Sequence, residues 1–532
     1  MAHQLSVPAP SQWSYIVRTT RVATPADREA ALEACDYNLF AYPASLLIAD
    51  FLSAGGCSAA SDVQWAALMR GDEAYGRNHG YFALLDAVRD VFERGVELPG
   101  GLCRRLIVNE PNPTWRPDEA ALSDPPCGGF ANGGHHQLVR PNFFITPQQR
   151  CAEFLLFNGL RKVVDPERQY YIPSNGFFDT TEAHARDCRF VPVNMVDQSR
   201  PNVPMSQVRT HNNFKGDIDL AKLKAFIAEK GAESILFVML TLTNSREAGH
   251  PVSMRNIVET AELAHSHNIP VVFDAARFAL NAWAIHTYED QYKAMSIAQI
   301  VKEMFAHCDA FVVGCKNSSN AGGFLSFRDQ GVFHKRFSTK TRDVGIVIKE
   351  MQILSYGNDS YGGLSGRDIM AMAVGISQLT DAVRLERHVN QTLTFAERLV
   401  AAGVPGVMTS GSAVYVDVDE FFGARSAPED YRGMGLVSEL IRLYGVRIAE
   451  IGPFTFPKGG ELGHSPNYVR ISVPFGTYSD EHILYAVAAI AELHRNKERL
   501  PKMKIVFGER LNLRHFQAGL KPIYPAEGKL VD

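Results

Sequence analysis

The chain has 532 residues, of which 46% are apolar and 21% charged, and its formal net charge is -4. This composition is typical of a soluble globular protein long enough for two domains, and the small net charge gives no sign of a nucleic-acid or membrane partner. No stretch approaches the ~18 apolar residues of a transmembrane helix, and the eight cysteines lack the spacing of a disulfide framework or a zinc site.

The N-terminal part of the chain contains one clear helix and one irregular segment. Residues 1–30 form a polar arm without a secretory pattern, so we expect a cytoplasmic protein with reduced thiols. Apolar positions at helical spacing predict an amphipathic helix over 82–95. Residues 97–138 are rich in Pro and Gly and predict a long surface insertion. Its His135–His136 pair has the chemistry of a metal ligand, but a solvated loop pair is the favoured interpretation.

From residue 219 onward, short apolar strands alternate with helices. The pattern predicts helices over 219–230 and 253–266 and from 277, and strands over 234–242, 270–273 and 310–314. Such alternation is typical of a parallel sheet covered by helices on both faces. Ligands of these α/β sheets bind where the strands end at their carboxyl edge.

The C-terminal part has a mixed α+β pattern. Helices are predicted near 390–402 and 480–495, and strands at 413–418 and 468–473. We therefore predict a large domain over 57–369, which contains the insertion, and a smaller α+β domain formed by 1–56 and 370–532.

Two charged residues follow the predicted strand 270–273. Asp274 lies at the strand end, where a carboxylate suits the protonated ring nitrogen of pyridoxal phosphate (PLP), although a helix N-cap is the commoner role for such a residue. Arg277 is placed to bond the phenolate oxygen of the same ring; the alternative is a surface helix arginine.

A lysine follows the strand predicted at 310–314. Lys316 lies in a turn rich in Gly, Ser and Asn, which suits a Schiff-base lysine, although a plain loop lysine is the alternative. A strand ending in Asp, a strand ending in Lys about forty residues later and a glycine-rich turn form the order seen in fold-type-I PLP enzymes. The combination favours the cofactor interpretation over each separate alternative.

Several long strings resemble the tryptophanase and tyrosine phenol-lyase family of β-eliminating lyases. The strings are SDVQWAALMRGDEAY, NFKGDIDLAKLKAFIAEKGAE, LTLTNSREAGHPVSM, VVFDAARFALNAW, SYGGLSGRD and YVRISVP. They occur in the family's order from about residue 35 to residue 520. The resemblance implies a fold-type-I PLP enzyme with a mostly parallel central sheet, helices on both faces and a smaller α+β domain.

The resemblance also implies roles for individual residues around PLP. Lys316 would be the Schiff-base lysine, with Asp274 at the pyridine nitrogen, Arg277 and Asn244 near the phenolate oxygen, and Phe178 stacked on the ring. Gln148, Gln149 and Arg150 occupy the phosphate-loop positions.

A second set of implied roles concerns the substrate and a cation. Arg470 would pair with the substrate carboxylate, near Asn244 and Cys57. Tyr75 would be the general acid that protonates the leaving carbon. Glu73 and Asn320 would bind a monovalent cation, usually potassium. The plainer alternatives are a strand arginine, a core tyrosine and a solvated acid.

Three positions resemble the tryptophanase branch. Asp179 in FFDTT resembles the acid near the indole site, Ile451 in AEIG stands where the phenol-lyases have arginine, and His515 in LRHF stands where they have phenylalanine. A bulkier aromatic substrate than tyrosine, or a different leaving group, is therefore favoured.

The match departs from the family around the cofactor. Val313 and Cys315 replace the serine and first lysine of the family's Ser-x-Lys-Lys, and Gln149 and Cys151 replace the glycines of its phosphate loop. Cys57 replaces a threonine at the substrate carboxylate. These changes concern substrate and reaction outcome more than cofactor binding.

The leading hypothesis is β-elimination from an aromatic L-amino acid, giving pyruvate, ammonia and a leaving group such as indole. A second hypothesis keeps PLP but has C–S elimination, β-substitution or another reaction on a modified amino acid in a specialised pathway. A third is a non-catalytic paralogue, against which the retained Lys316 and Tyr75 argue. The family implies a homo-oligomer, a dimer of dimers, acting on a small-molecule amino acid.

Overall fold

The structure is a computed structural model that describes residues 22–93, 129–131, 134–244, 248–319, 321–456 and 467–530. Most of the predicted insertion 97–138 and most of the predicted arm 1–30 lie outside the described residues. Asn320 also lies outside them, as do the side chains of His135 and His136.

A seven-stranded sheet forms the centre of the molecule, in the order β2-β8-β7-β6-β5-β3-β4. Its strands are β2 (Phe143–Thr146), β3 (Tyr171–Ser174), β4 (Val191–Asn194), β5 (Val238–Thr241), β6 (Val271–Asp274), β7 (Ala310–Gly314) and β8 (Gly323–Phe327). The neighbours from β7 to β4 are parallel, and β8 runs antiparallel to both β7 and β2. The predicted, mostly parallel central sheet is confirmed.

The carboxyl ends of three neighbouring strands meet at one edge of this sheet. Thr241 of β5 is in register with Asp274 of β6, which in turn is in register with Val312 of β7. Continuous burial explains the apolar sequences, since β5 and β6 are buried at every position. Lys316 therefore follows a strand that lies directly beside the one ending in Asp274.

Helices cover both faces of the central sheet. They are α2 (Asp62–Arg70), α3 (His79–Phe92), α4 (Gly134–Val139), α5 (Gln149–Val163), α6 (Asp179–Asp187), α7 (Leu220–Lys230), α8 (Met254–Ser266), α9 (Phe278–Tyr288), α10 (Ile297–Ala306), α11 (Lys316–Ser319), α12 (Val332–Phe337), α13 (Val344–Tyr356) and α14 (Gly366–Gln378), with α1 (Pro25–Ala34) preceding them. The predicted N-cap is confirmed at Ser253, whose side chain accepts a hydrogen bond from the Asn256 N–H at 3.1 Å.

A second, smaller group of elements follows α14. It contains α15 (Ala382–Ala401), α16 (Val418–Phe422), α17 (Arg432–Tyr444) and α18 (Asp480–Arg495), with strands β9 (Val407–Thr409), β10 (Val414–Asp417), β12 (Ala449–Ile451) and β13 (Tyr468–Ile471) in an antiparallel sheet. Two further pairs are parallel β1 (Ala49–Asp50) with β11 (Val446–Arg447), and the hairpin β14 (Lys502–Phe507) with β15 (Gly519–Ile523).

The core of this second group contains residues from both the N-terminal and the C-terminal part of the chain. Its buried apolar side chains come from 32–51 and 395–530. The predicted boundary after residue 369 falls inside α14, whose Ile369 and Met370 pack in the core around α3. The division into two domains remains a prediction.

Element ends differ from the sequence predictions where local caps decide them. The helix predicted over 82–95 begins earlier, at His79, because Asn78 caps it through the Tyr81 N–H at 2.8 Å. The strand predicted over 234–242 is shortened to β5 because a 3-10 turn occupies 232–234. Among the described residues, no helix has the length and apolar character needed to cross a membrane.

Candidate active site

Asp274 lies at the carboxyl end of β6 and is almost completely buried. Its Oδ1 accepts hydrogen bonds from Gln149 Nε2 at 2.7 Å and from the Ala276 N–H at 3.3 Å. Burial raises the pKa of the Asp274 carboxyl. The N-cap position of α9 belongs to Arg277 rather than to Asp274, so the N-cap alternative for this aspartate does not apply.

Arg277 begins the turn into α9 on the same sheet edge. Its N–H donates to the Leu242 carbonyl at 2.9 Å, which fixes the chain beside β5. Burial lowers the pKa of Arg277. Electrostatic interaction with Tyr415 raises this pKa, and the charge of Arg470 lowers it further. The two arginines are therefore close enough to influence each other electrostatically.

Lys316 lies beside the turn that contains Cys57. Its carbonyl accepts the Gly56 N–H at 2.8 Å, and its side chain runs past Gly55 and Gly56, where added Cβ atoms would lie 3.6 and 3.9 Å from it. The lysine is exposed. Burial raises the pKa of Cys57, while the charges of Arg447 and Lys316 lower it, so Lys316 and Cys57 are close enough to influence each other electrostatically.

The residues that flank Lys316 point away from solvent. Val313 and Cys315 are fully buried, and burial raises the pKa of the Cys315 thiol well above its usual value. Neither side chain supplies the hydroxyl or the charge that the resemblance implies for these positions. A phosphate group at this site must therefore be held by other residues.

Arg470, on β13, is buried with most of its hydrogen-bonding capacity unused. It is 6% exposed, and its Nη2 donates to the Leu52 carbonyl at 3.3 Å. Its Nε and Nη1 have no hydrogen-bond partner in the described part of the chain. Buried guanidinium N–H groups without partners are costly, and a carboxylate satisfies two of them at once. Arg470 is thus arranged to receive an anion.

A pocket of about 740 Å³, open solvent included, lies beside Arg470. Aromatic side chains make up much of its wall, and they are Phe40, Phe177, Phe178, Phe454, Phe456 and Phe516. Ile451 of β12 also lines it and is 6% exposed. An apolar, aromatic wall with a few polar groups is typical of a site for a small aromatic molecule.

Asp179 and His515 form the polar part of this wall. Asp179 Oδ2 and His515 Nε2 are 2.6 Å apart. Burial would raise the pKa of Asp179, but the hydrogen bond and charge of His515 outweigh it and lower that pKa. The His515 Nδ1 is buried and has no hydrogen-bond partner among the described residues. In the neutral form of this imidazole, with Nε2 donating to Asp179, Nδ1 accepts a ligand N–H; in the protonated form Nδ1 is a donor.

The predicted phosphate-loop residues form the beginning of α5. Gln148 is the N-cap and makes no side-chain capping bond, so its side chain does not satisfy the first N–H groups of α5. Arg150 lines the pocket with its guanidinium 5.2 Å from the Phe516 ring. A helix N-terminus beside an arginine suits a phosphate group. Gln149 instead turns inward, toward Asp274.

Asn244 is buried next to the backbone of a neighbouring loop. Its Nδ2 donates a very short hydrogen bond to the Asn175 carbonyl. A Cβ at Gly176 would collide with the same amide, so the close approach depends on glycine. The structure therefore holds Asn244 between the ends of β3 and β5.

Tyr75 and Glu73 lie away from these residues. Tyr75 is 75% exposed and packs against the Tyr361 ring, with the two ring centroids 5.5 Å apart. Glu73 accepts from the Gly366 N–H at 3.0 Å and pairs with Arg367 at 3.1 Å. Neither residue lines the pocket. Of the predicted cation ligands, only Glu73 is described.

Comparison with known proteins decides the family. The model of the beta-eliminating lyase family matches residues 50–502. The tryptophanase of Salinibacter ruber is 32% identical over 515 residues, covering 96% of this chain and 94% of that protein. The chain is a member of the beta-eliminating lyase family. The tyrosine phenol-lyase of Lacrimispora saccharolytica is similar at 31% identity over 505 residues, 93% of each chain.

Solved structures show the fold of the lyase. Saccharomyces cerevisiae Bna3p superposes with a TM-score of 0.53 at 13% identity, covering 88% of this chain and 94% of that chain. A Sphingomonas wittichii serine palmitoyltransferase gives a TM-score of 0.50 at 11% identity, covering 88% and 96%. The predicted fold-type-I architecture is confirmed, and the lyase is PLP-dependent.

The described residues of the lyase fit PLP. A buried carboxylate at the end of β6 suits a protonated ring nitrogen, and the exposed Lys316, which follows the neighbouring strand β7, suits an aldehyde. The uncapped N-terminus of α5 suits the phosphate group. Asp274, Lys316 and α5 would therefore hold the ring, the aldehyde and the phosphate.

Sequence reasoning missed one buried acid of the lyase. Glu153, one turn after Gln149 on α5, is 1% exposed and receives a hydrogen bond from the same amide. The four-residue spacing of two polar residues on one helix was the available signal. Phe40 and Phe516 of the pocket wall were also missed, because nothing local in their sequence distinguishes them from core aromatics.

The segment that carries Tyr75 in the lyase is held by a close backbone contact. A Cβ at Gly366 would lie 1.7 Å from the Asp72 carbonyl oxygen. We expect Gly366→Ala to lower the free energy of unfolding by about 1–3 kcal/mol, because this clash exceeds the gain in helix propensity. Gly76→Ala is the control, since its Cβ meets nothing closer than 4.0 Å. Equal urea-unfolding midpoints for the two variants would contradict this account.

Proposed function

We propose that the lyase catalyses β-elimination of an aromatic L-amino acid, with tryptophan as the favoured substrate and indole, pyruvate and ammonia as the products. The observation that carries the proposal is the Asp179–His515 pair in an aromatic pocket beside Arg470. A tryptophan side chain matches this pocket, because it is a large apolar ring with a single N–H donor.

The substrate's carboxylate would be bound by Arg470. Its buried Nε and Nη1, which have no hydrogen-bond partner among the described residues, leave guanidinium N–H groups available to a carboxylate. Asn244 and the Cys57 turn would border the same group. This pairing orients the amino acid with its Cα toward Lys316 and its ring toward the aromatic wall.

The proton transfers would be made by Lys316 and Tyr75. When bound, PLP supplies an aldehyde that condenses with amines and a ring that accepts electrons. Lys316 would act as the base that removes the Cα proton, since its amine is exposed beside the end of β6. Tyr75 would protonate the leaving ring carbon.

A second copy of the chain is proposed to complete the site. The Tyr75 side chain is 75% exposed, together with Trp65 at 49% and Met69 at 81% on α2. A general acid with so little contact within its own chain is better explained by a place in the site of a neighbouring copy. Assembly as a dimer of dimers, a monovalent cation at Glu73 and Asn320, and a cytoplasmic location remain predictions.

The role of His515 gives a substrate-specific test. We expect His515→Phe to lower kcat/KM for tryptophan by about 10- to 100-fold, the worth of one lost hydrogen bond to a buried donor. For an S-alkyl cysteine, which has no ring N–H, the loss should stay below about threefold. Coupled pyruvate assays on both substrates measure the ratio. An equal loss of kcat/KM on the two substrates would show that His515 does not bind the ring N–H.

A second candidate function is C–S elimination or β-substitution on a modified amino acid. The exposed thiol of Cys57 beside Lys316, where the family has threonine, favours it. Pyruvate release from tryptophan, tyrosine, S-alkyl cysteines and serine separates the two. Tryptophan as the best substrate supports the first proposal, and S-alkyl cysteine as the best substrate supports the second.

A further inference from the structure

A second buried carboxyl group lies behind the cofactor site. Glu153 on α5 is 1% exposed. Thr181 Oγ1 donates to its Oε1 at 2.7 Å, and Thr180 Oγ1 lies 3.4 Å from its Oε2. Its position on α5 is therefore fixed by two hydroxyls from the first turn of α6. No step of the proposed reaction uses it.

One amide joins this group to Asp274. Gln149 Nε2 donates to Asp274 Oδ1 at 2.7 Å and to Glu153 Oε1 at 3.2 Å, so both of its N–H groups are used. The side chain fits because residue 314 is glycine, where a Cβ would lie 2.8 Å from Gln149 Oε1.

Two carboxyl groups on either side of one nitrogen repel each other when both are ionised. Burial raises the pKa of Glu153, and the charge of Asp274 raises it further, to about 8. The cations that face the pair are Arg150, which lowers the pKa of Glu153, and Arg277, which lowers that of Asp274. His184 Nε2 lies 4.0 Å from Glu153 Oε2, and burial lowers the pKa of His184.

The pair is thus built to hold one proton and one negative charge. A protonated ring nitrogen beside Asp274 stabilises the ionised form of Asp274 by direct charge pairing. The remaining proton then belongs on Glu153, whose Oε2 faces, among the described residues, the Thr180 hydroxyl and His184. Gln149 donates hydrogen bonds to both carboxyl groups, so the position of one carboxyl group depends on that of the other.

We propose that Glu153 is a positioning residue that, through Gln149, holds the proton of a buried carboxyl pair and so keeps Asp274 ionised for the ring nitrogen of PLP. The inference rests on PLP binding and on these contacts, and is independent of the substrate proposed above. It assigns Gln149 to the ring rather than to the phosphate group.

The first test uses the visible absorption band of the holoenzyme. At pH 7, Glu153→Gln replaces a neutral carboxyl with a neutral amide and should leave the band unchanged, whereas Asp274→Asn should alter it. On raising the pH above about 8, where Glu153 ionises in the wild type, the wild-type band should change and that of Glu153→Gln should not. A band altered at pH 7 by Glu153→Gln as much as by Asp274→Asn would overturn the proposal.

The second test needs no cofactor and measures the unfolding free energy of the full-length apoprotein against pH. The folded-state pKa of Glu153 is raised. The contribution of Glu153 to the unfolding free energy is therefore fully present below about pH 4.5 and is lost as the pH rises through about 8. The unfolding free energy of Glu153→Gln should not show this fall with pH. Gln149→Leu should extend it to higher pH, because the Gln149 hydrogen bond lowers the pKa of Glu153. Glu259→Gln, which changes an exposed acid 3.9 Å from Arg255, is the control and should keep the wild-type loss up to pH 8.

The outcomes separate the alternatives. A wild-type profile in Glu153→Gln would show that Glu153 is ionised throughout and would overturn the proposal. An unaltered profile in Gln149→Leu would show that the two carboxyls are not coupled through the amide. Because neither measurement involves a substrate, both remain interpretable if the lyase proves to act on something other than tryptophan.

Discussion

Lys316→Ala is expected to abolish turnover and to remove the visible absorbance of bound PLP. Lys316 is the only chemically suited amine that the described structure places beside the end of β6, next to the Gly55–Gly56 turn. Loss of a general base costs about 10²- to 10⁴-fold, and loss of the covalent attachment adds to this. We therefore expect at least a thousandfold lower rate of pyruvate release, as an order-of-magnitude figure.

The control for this variant is Lys293→Ala, which removes an exposed lysine paired with Asp290 on the surface. It should keep both the absorbance and the rate. If Lys316→Ala retained the absorbance band and turned over substrate like Lys293→Ala, the assignment of Lys316 would be wrong. Rescue of slow turnover by added small amines would support a role for the missing amine itself.

Arg470→Leu is expected to separate binding from stability. We expect kcat/KM to fall by about 10²- to 10³-fold, since the substrate carboxylate loses a buried charged partner worth about 2–5 kcal/mol. The unfolding free energy should not fall, because the variant also removes two buried nitrogens that lack partners in the described part of the chain. Activity assays and urea unfolding measure the two effects.

Arg470→Lys gives the matched comparison. Lysine keeps the charge but lacks the planar pair of donors, so most of the loss in kcat/KM should remain. The absorbance of bound PLP should be unchanged in both variants. A structural role for Arg470 would instead lower the unfolding free energy together with the activity.

Much of the fold was readable because buried parallel strands are continuous apolar runs. The ends of β6 and β7 follow directly from PVVF and AFVVG. Asp274 ends β6, and Lys316 follows the end of the neighbouring strand β7. The Asp179–His515 contact at 2.6 Å joins residues 336 positions apart, and resemblance to the family suggested both of its members. Element ends were less predictable where a cap such as Asn78 decides them.

The bridge through Gln149 was not predictable from sequence. Its geometry depends on the absence of a side chain at Gly314 and on hydroxyls from α6, two features of distant segments. Resemblance to the family assigned Gln149 to phosphate, while the structure turns it toward Asp274. The 75% exposure of Tyr75 excludes the core-tyrosine alternative that the sequence left open.

Borohydride reduction of the PLP-loaded protein, followed by peptide mass spectrometry, tests the central claim most directly. Reduction fixes the bond between PLP and its lysine and so marks that residue. We predict one phosphopyridoxyl group per chain, on the peptide that contains Lys316. A label on another lysine, or no label on a protein saturated with PLP, would contradict the cofactor site described above.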